Sequence, residues 1–236
     1  MKNKNISIID WVCIYAGTII GVNVLVSTQL YPSQWIASLL PGGVNDVNLM
    51  FIYEVLQAAL IIGGTLLCLY LRGKTLKDIG WNHPRRFKFY ITAVLFGVTT
   101  CSLTLVVSSI LVQLFPQWSA TQNVVSTALQ VDSVWGIVVS FLSVGVLAPL
   151  CEEVLFRGYL YHAIVNKFGT AISICLTSFV FAMVHGQWFQ LLPLFFAGLF
   201  LNLFYVRTQS LIATVVMHSA WNSFSLFLVI YMRFVV

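Results

Sequence analysis

Long apolar runs separated by short polar breaks set the pattern of this chain. They fall at about 9–31, 49–71, 89–115, 134–165, 171–187, 189–206 and 210–232. Each approaches or exceeds the roughly 20 apolar residues that a helix needs to cross a bilayer. The runs are continuous, not alternating in ten-residue segments, so they predict helices and not a β-barrel. The expected fold class is all-α: a polytopic membrane helical bundle of about seven transmembrane helices. The fourth run, at 32 residues, is too long for one upright span. Tilt, a break near Pro149 or extension beyond the membrane would accommodate it.

Composition agrees with this pattern. The 236-residue chain is 59% hydrophobic and 8% charged, against about 25% charged in soluble domains. The net charge of +5 is not a nucleic-acid signal, because it is concentrated between spans. Residues 72–88 hold Arg72, Lys74, Lys77, Arg85, Arg86 and Lys88 against one acid, Asp78. Lys2 and Lys4 precede the first run, and loops at about 32–48 and 116–133 contain no Lys or Arg. The positive-inside rule then expects a cell-membrane protein with the amino terminus and the 72–88 loop in the cytoplasm. Lys167 and Arg207 fall on the same side, and only Arg233 opposes the bias. The basic loop is expected to meet anionic lipid headgroups. The first run lacks a small-residue cleavage site and reads as a span, not a signal peptide. Cys13, Cys68, Cys101, Cys151 and Cys175 all sit in runs and form no C-x-x-C pair, so they read as packing residues.

Polarity divides the chain unevenly. Residues 1–130 read as a three-span scaffold with one acid, Glu54, inside a span. Residues 131–236 read as a four-span core holding Glu152, Glu153, Arg157, His162, His185, Asn202, His218 and Asn222. The two parts are expected to form one integrated membrane domain.

The Glu152–Glu153 doublet is the sharpest signal. An ionised carboxylate near the bilayer centre costs roughly 2.5–3.5 kcal/mol on insertion scales, and two neighbours also repel. A structural ion pair with Arg157 is the plain alternative for the acids, and backbone hydrogen bonding for His185. Spacing argues for more. Glu153 and Arg157 are i,i+4 and share a helix face, as do Phe181 and His185, and His218 and Asn222. The turn NKFGT near Phe168 lies 16 residues after Glu152 and 17 before His185. Both therefore sit roughly 24–26 Å along their helices from that turn, level in a helical hairpin. His218 and Asn222 lie about 15 and 21 Å from the turn near Thr208, on the same membrane side.

Such a set supports two chemistries. A carboxylate beside a histidine activates water as a general base, with histidine and asparagine donors for an oxyanion. Alternatively, Glu152, His185 and His218 form a ligand set for a divalent metal such as zinc with an open fourth position. Either predicts hydrolysis of a carbonyl compound, most simply a peptide bond. The chain has no H-E-x-x-H, no pair of intramembrane aspartates and no G-x-S-x-G-like elbow.

The segments EEVLFR (Glu152, Glu153, Arg157), FAMVH (Phe181, His185) and HSAWN (His218, Asn222) resemble the E-E-x-x-x-R, F-x-x-x-H and H-x-x-x-N motifs of one family. This is the CAAX protease and bacteriocin-processing (Abi) family of intramembrane glutamic/metallo-endopeptidases. RTQSLIATVVMH resembles the lead-in to its last motif, and LKDIGW in the basic loop resembles it more weakly. The likeness covers about residues 140–225. It implies that Glu152 is the water-activating base, oriented by Glu153 and Arg157. His185 would assist the water or bind metal, and His218 and Asn222 would form the oxyanion site. It also implies a peptide or protein substrate within the membrane, and roles in bacteriocin self-immunity or in peptide and prenyl-protein processing. Two other classes compete. One is a non-catalytic membrane immunity or regulatory protein that binds a partner. The other is a proton-coupled transporter using the acids and histidines as a relay.

Overall fold

The structure, a computed structural model, describes residues 6–27, 32–118, 131 and 133–235. Lys2, Lys4, Asp132 and most of the 116–133 loop lie outside them. The described residues form helices and turns, with no strand. Four helices come first: α1 (Ile8–Ser27), α2 (Pro32–Leu39), α3 (Asp46–Arg72) and α4 (Lys88–Leu114). A 51-residue helical stretch, Val134–Val184, follows. Gly169, at φ 74° and ψ 170°, leaves helical geometry and turns this stretch back on itself. It is thus a hairpin of α5 (134–168) and α6 (170–184). α7 (Leu191–Thr208) and α8 (Leu211–Val235) complete the order.

Five stretches are long and apolar enough to cross a membrane, and Ile8–Val24 is a shorter apolar helix. Counting the Val134–Val184 hairpin twice gives seven apolar helices, the number expected. The chain is a multi-pass, all-α membrane protein. α6 and α7 are short, at 15 and 18 residues, beside 27 residues each in α3 and α4.

Of the three ways to accommodate the long fourth run, a break at Pro149 does not occur. α5 runs through it by changing its winding. Residues Phe141–Leu147 and Val154–Leu160 are π-helical, on either side of the α-helical Ala148–Glu153 that carries the acid pair. Pro149 has no N–H, and its ring would crowd the carbonyl four residues earlier. The wider π turn just before it relieves that clash.

The helices pack through close approaches that only small residues allow. α4 lies along α8, and a Cβ on Gly97 would collide with the Met217 carbonyl and the Trp221 backbone. α7 lies along α6, and a Cβ on Gly198 would stand 3.0 Å from the Ser178 Cα. This fits the small-residue rule for helix packing in lipid. One core cluster joins Trp11 and Ile14 of α1 and Ala58 and Ile61 of α3 to Phe156, Phe181, Leu201 and Met217. The cluster thus draws on α1, α3, α5, α6, α7 and α8.

The basic loop docks onto the bundle. Asp78 accepts the Thr75 amide at 2.8 Å and the Thr75 hydroxyl at 2.8 Å, which closes a capping box around the 3₁₀ turn Leu76–Ile79. These bonds hold the Asp78 carboxyl below its ordinary pKa. Ile79 is fully buried. The Leu211 amide donates to the Gly80 carbonyl at 2.8 Å, and the Ser210 hydroxyl donates to the Asn82 carbonyl at 2.5 Å. Near the same end Arg72 grips Asp10 with two 2.7 Å bonds, and Tyr159 donates to Asp10 at 3.2 Å. α1, α3 and α5 are thereby tied together.

Overpacking supplies the test. Gly97→Leu and Gly198→Val should each lower stability by about 1–3 kcal/mol. Gly63→Ala, whose Cβ would meet nothing within 4 Å, should cost nothing measurable. Thermal unfolding in detergent micelles separates the three.

Candidate active site

The site forms where α5, α6 and α8 meet. Glu152 and Glu153 come from the α-helical turn between the two π segments, His185 from the C-terminal cap of α6, and His218 from α8. Phe181 supports them from α6. Its fully buried ring lies 4.9 Å from the His185 ring and 5.9 Å from the His218 ring, centroid to centroid.

The acids divide into a buried layer and an open one. The Glu153 and Arg157 side chains are both 0% exposed and pair at 2.8 Å. A second guanidinium nitrogen donates to the Gly198 carbonyl at 3.1 Å. The guanidinium carbon stands 4.8 Å over the Phe181 ring, a cation–π contact in a dry setting. His218 Nδ1 lies 2.7 Å from the Glu153 oxygen that Arg157 also binds. Arg157, Glu153 and His218 thus form one buried chain. The His218 ring also stacks on Trp221 at 5.1 Å and 20°.

Glu152 is in the open layer, 23% exposed at its side chain. One carboxylate oxygen is 4.0 Å from His185 Nε2 and the other is 3.7 Å from His218 Nε2. These distances exceed direct hydrogen bonds and suit one bridging water. The tautomers follow from the partners. His185 Nδ1 meets the Phe181 carbonyl at 2.7 Å. A carbonyl only accepts, so Nδ1 carries the hydrogen. Nε2 is then an acceptor in the neutral ring. His218 Nδ1–H donates to the Glu153 carboxylate in the same way and leaves Nε2 facing Glu152. Both imidazoles and Glu152 therefore point at one space.

Asn222 makes a backbone contact of its own. One turn beyond His218, it donates from Nδ2 to the Val144 carbonyl at 3.0 Å. That carbonyl belongs to the first π segment, where Pro149 removes an amide donor. The side chain thus meets a backbone group that the proline leaves short of partners.

Three residues near the site were given no site role by sequence reasoning. Glu54 of α3 is half-buried and interacts electrostatically with Glu152 and with Cys151; its only sequence signal is being a lone intramembrane acid. His162 meets the Arg157 carbonyl at 3.0 Å through Nδ1. Tyr205 follows it, with its hydroxyl 3.3 Å from His162 Nε2. Cys151 is buried and forms no disulfide.

The buried pair should show the asymmetry of ions removed from water. Arg157→Met leaves Glu153 charged and unpaired and should cost about 3–5 kcal/mol. Adding Glu153→Gln should restore part of that loss, measured by chemical unfolding in micelles. A double variant less stable than the single one would contradict the pairing.

Residues 134–224 match the model of the family described as "Type II CAAX prenyl endopeptidase Rce1-like". Three curated proteins are similar. The UPF0177 protein YxdF of Lactococcus lactis subsp. lactis (strain IL1403) is 33% identical over 81 residues, covering 34% of this chain and 44% of the relative. The membrane-embedded CAAX protease MroQ of Staphylococcus aureus (strain USA300) is 28% identical over 181 residues, 73% of this chain and 72% of the relative. An uncharacterized 24.3 kDa protein of Escherichia coli is 30% identical over 91 residues, 36% and 42% of the two chains. The chain thus spans under half the length of the first and third of these and about three quarters of the second. No solved structure matches. All three motifs lie inside residues 134–224, the segment that is similar to the Rce1-like CAAX endopeptidase family.

Proposed function

We propose that the protein is an intramembrane endopeptidase in which Glu152 activates a water held between its carboxylate and the two imidazoles. The observation that carries this is the half-exposed Glu152, flanked at 4.0 and 3.7 Å by two Nε2 atoms and backed by a buried ion pair. The water donates one hydrogen to Glu152 and the other to His185 Nε2. As its oxygen adds to the peptide carbonyl carbon, Glu152 takes the proton. The carbonyl π electrons move onto oxygen. The oxyanion is assigned to the side of the site formed by His218, which Glu153 holds through Nδ1, and by the amide hydrogen of Asn222 left after its bond to Val144. The C–N bond then breaks, and the proton on Glu152 passes to the leaving amine. Arg157 and Glu153 orient this machinery without touching substrate.

The substrate proposed is a peptide or lipid-modified protein chain within the membrane. The Staphylococcus aureus relative's name as a CAAX protease supports this class. An apolar cavity of about 180 Å³ opens at the end of α6, where it is lined by sequence neighbours of His185 and not by His185 itself. That cavity is lined by Ala182, Met183, Gly186, Gln187, Trp188 and Leu191. Processing of a peptide or prenylated protein and self-immunity to a bacteriocin are the two roles such cleavage would serve. The charge bias of the loops supports a cytoplasmic amino terminus and 72–88 loop.

A divalent metal such as zinc would polarise the carbonyl or acidify the water. The donor chemistry suits one, since each histidine anchors Nδ1 and presents Nε2. The grouping does not: among the described residues no three His, Cys, Asp or Glu side chains are close enough to hold an ion. No step is therefore routed through a metal.

Two measurements test the proposal. With a farnesylated C-a-a-X peptide in micelles as probe, Glu152→Gln should abolish cleavage while the protein stays folded. His185→Ala should lose about 10²–10⁴-fold. Unchanged cleavage in Glu152→Gln defeats the reading. Chelator treatment with elemental analysis of the purified protein should leave cleavage intact, whereas loss restored by zinc would replace the water-only mechanism.

A further inference from the structure

The second π segment of α5 ends in an accounting problem. Within it, amides pair with carbonyls five residues back, the last being the Tyr161 amide on the Phe156 carbonyl. From Tyr161 onward the helix is α and pairs four residues back. The change of spacing passes over one carbonyl, that of Arg157. A buried backbone carbonyl without a partner is costly. His162 supplies the partner, with Nδ1 3.0 Å from that oxygen. Since a carbonyl only accepts, Nδ1 carries the hydrogen. Nε2 then accepts from the Tyr205 hydroxyl at 3.3 Å.

Tyr205 is itself fixed. It is buried on α7, and its ring meets those of His162 and Tyr161 edge-on at 5.9 and 5.7 Å. Gly80 of the docked basic loop, at φ 82°, packs so closely that a Cβ there would collide with the Tyr205 hydroxyl. Contacts therefore run without a gap from the basic loop through Tyr205, His162 and Arg157 to Glu153 and His218.

We propose that His162 is a positioning residue for the site: by capping the carbonyl of Arg157 it holds the π winding that aims Arg157 and Glu153 at His218. It touches neither substrate nor the proposed water. Its catalytic consequence rests on the endopeptidase reading, but its effect on the acid pair does not. The winding matters because a return to α pairing through 154–160 would remove one residue's rotation, about 100°, between Arg157 and the remainder of α5. The Asn222 bond to the Val144 carbonyl is the counterpart at the first π segment.

Three variants in detergent micelles test this. His162→Ala removes the cap, His162→Asn keeps an amide N–H near the Nδ1 position, and Tyr205→Phe removes only the hydroxyl. The first readout is labelling of carboxyls by dicyclohexylcarbodiimide, mapped by mass spectrometry. Glu153, fully buried in the wild type, should become labelled several-fold faster in His162→Ala and return near the wild-type rate in His162→Asn. Tyr205→Phe should fall between. The second readout is cleavage of the farnesylated probe, where kcat should fall about ten- to hundredfold in His162→Ala, as for other orienting contacts. KM should hold, and His162→Asn should recover kcat. Equal labelling of Glu153 in wild type and His162→Ala overturns the proposal, and so does an Asn variant as impaired as Ala. A wild type that cleaves nothing while the labelling pattern appears as expected defeats the endopeptidase reading with this probe and upholds the positioning role.

Discussion

The buried ion pair of Arg157 and Glu153 is the constraint on which the rest depends. Two charges removed from water repay their desolvation only with close geometry and full hydrogen bonding. The fold supplies the close geometry and several hydrogen bonds from separate helices, while Glu153 Oε2 and Arg157 Nε have no partner among the described residues. Gly198 lets α7 approach α6 and brings its carbonyl to the guanidinium. Phe181 lies under the same guanidinium, and His218 of α8 meets the shared carboxylate oxygen. Three helices are therefore registered against one arginine. Glu152, the neighbour in sequence, turns the other way and stays half-open. One residue of helical rotation thus separates a locked acid from one able to react.

Winding does the rest of the positioning. The π segments on either side of the acid pair each leave backbone groups to be satisfied elsewhere, and a polar side chain answers each: Asn222 at Val144 and His162 at Arg157. π winding on either side of a short α-helical segment is a feature often found at sites. Here the irregularity also absorbs Pro149, so the proline shapes the site without breaking the span.

Much of this was legible in the sequence. The apolar runs predicted seven helices, and their ends agree with the described helices to within a few residues. The hairpin turn expected near Phe168 falls at Gly169. Equal spacing of Glu152 and His185 from that turn anticipated their separation of 4.0 Å. The i,i+4 spacing anticipated the Glu153–Arg157 pair. What stayed hidden depends on winding. Counting residues at 3.6 per turn cannot show a π turn, so the route through Pro149, the bond from Asn222 to Val144 and the burial of His162 had no signal in residue spacing. Glu54 stayed ambiguous for another reason: a lone acid has no periodic partner to reveal what it faces.

The shortness of the α6–α7 hairpin has a consequence for the lipid around it. Fifteen residues rise about 22 Å, well under the roughly 30 Å hydrocarbon slab, and α6 ends at the His185 cap. By contrast α3 and α4, of 27 residues each, are long enough to cross fully. In a bilayer of that thickness the mismatch would be met by local thinning or by headgroups drawn inward, which would shorten the path of solvent to a carboxylate that lies near the middle of its own helix.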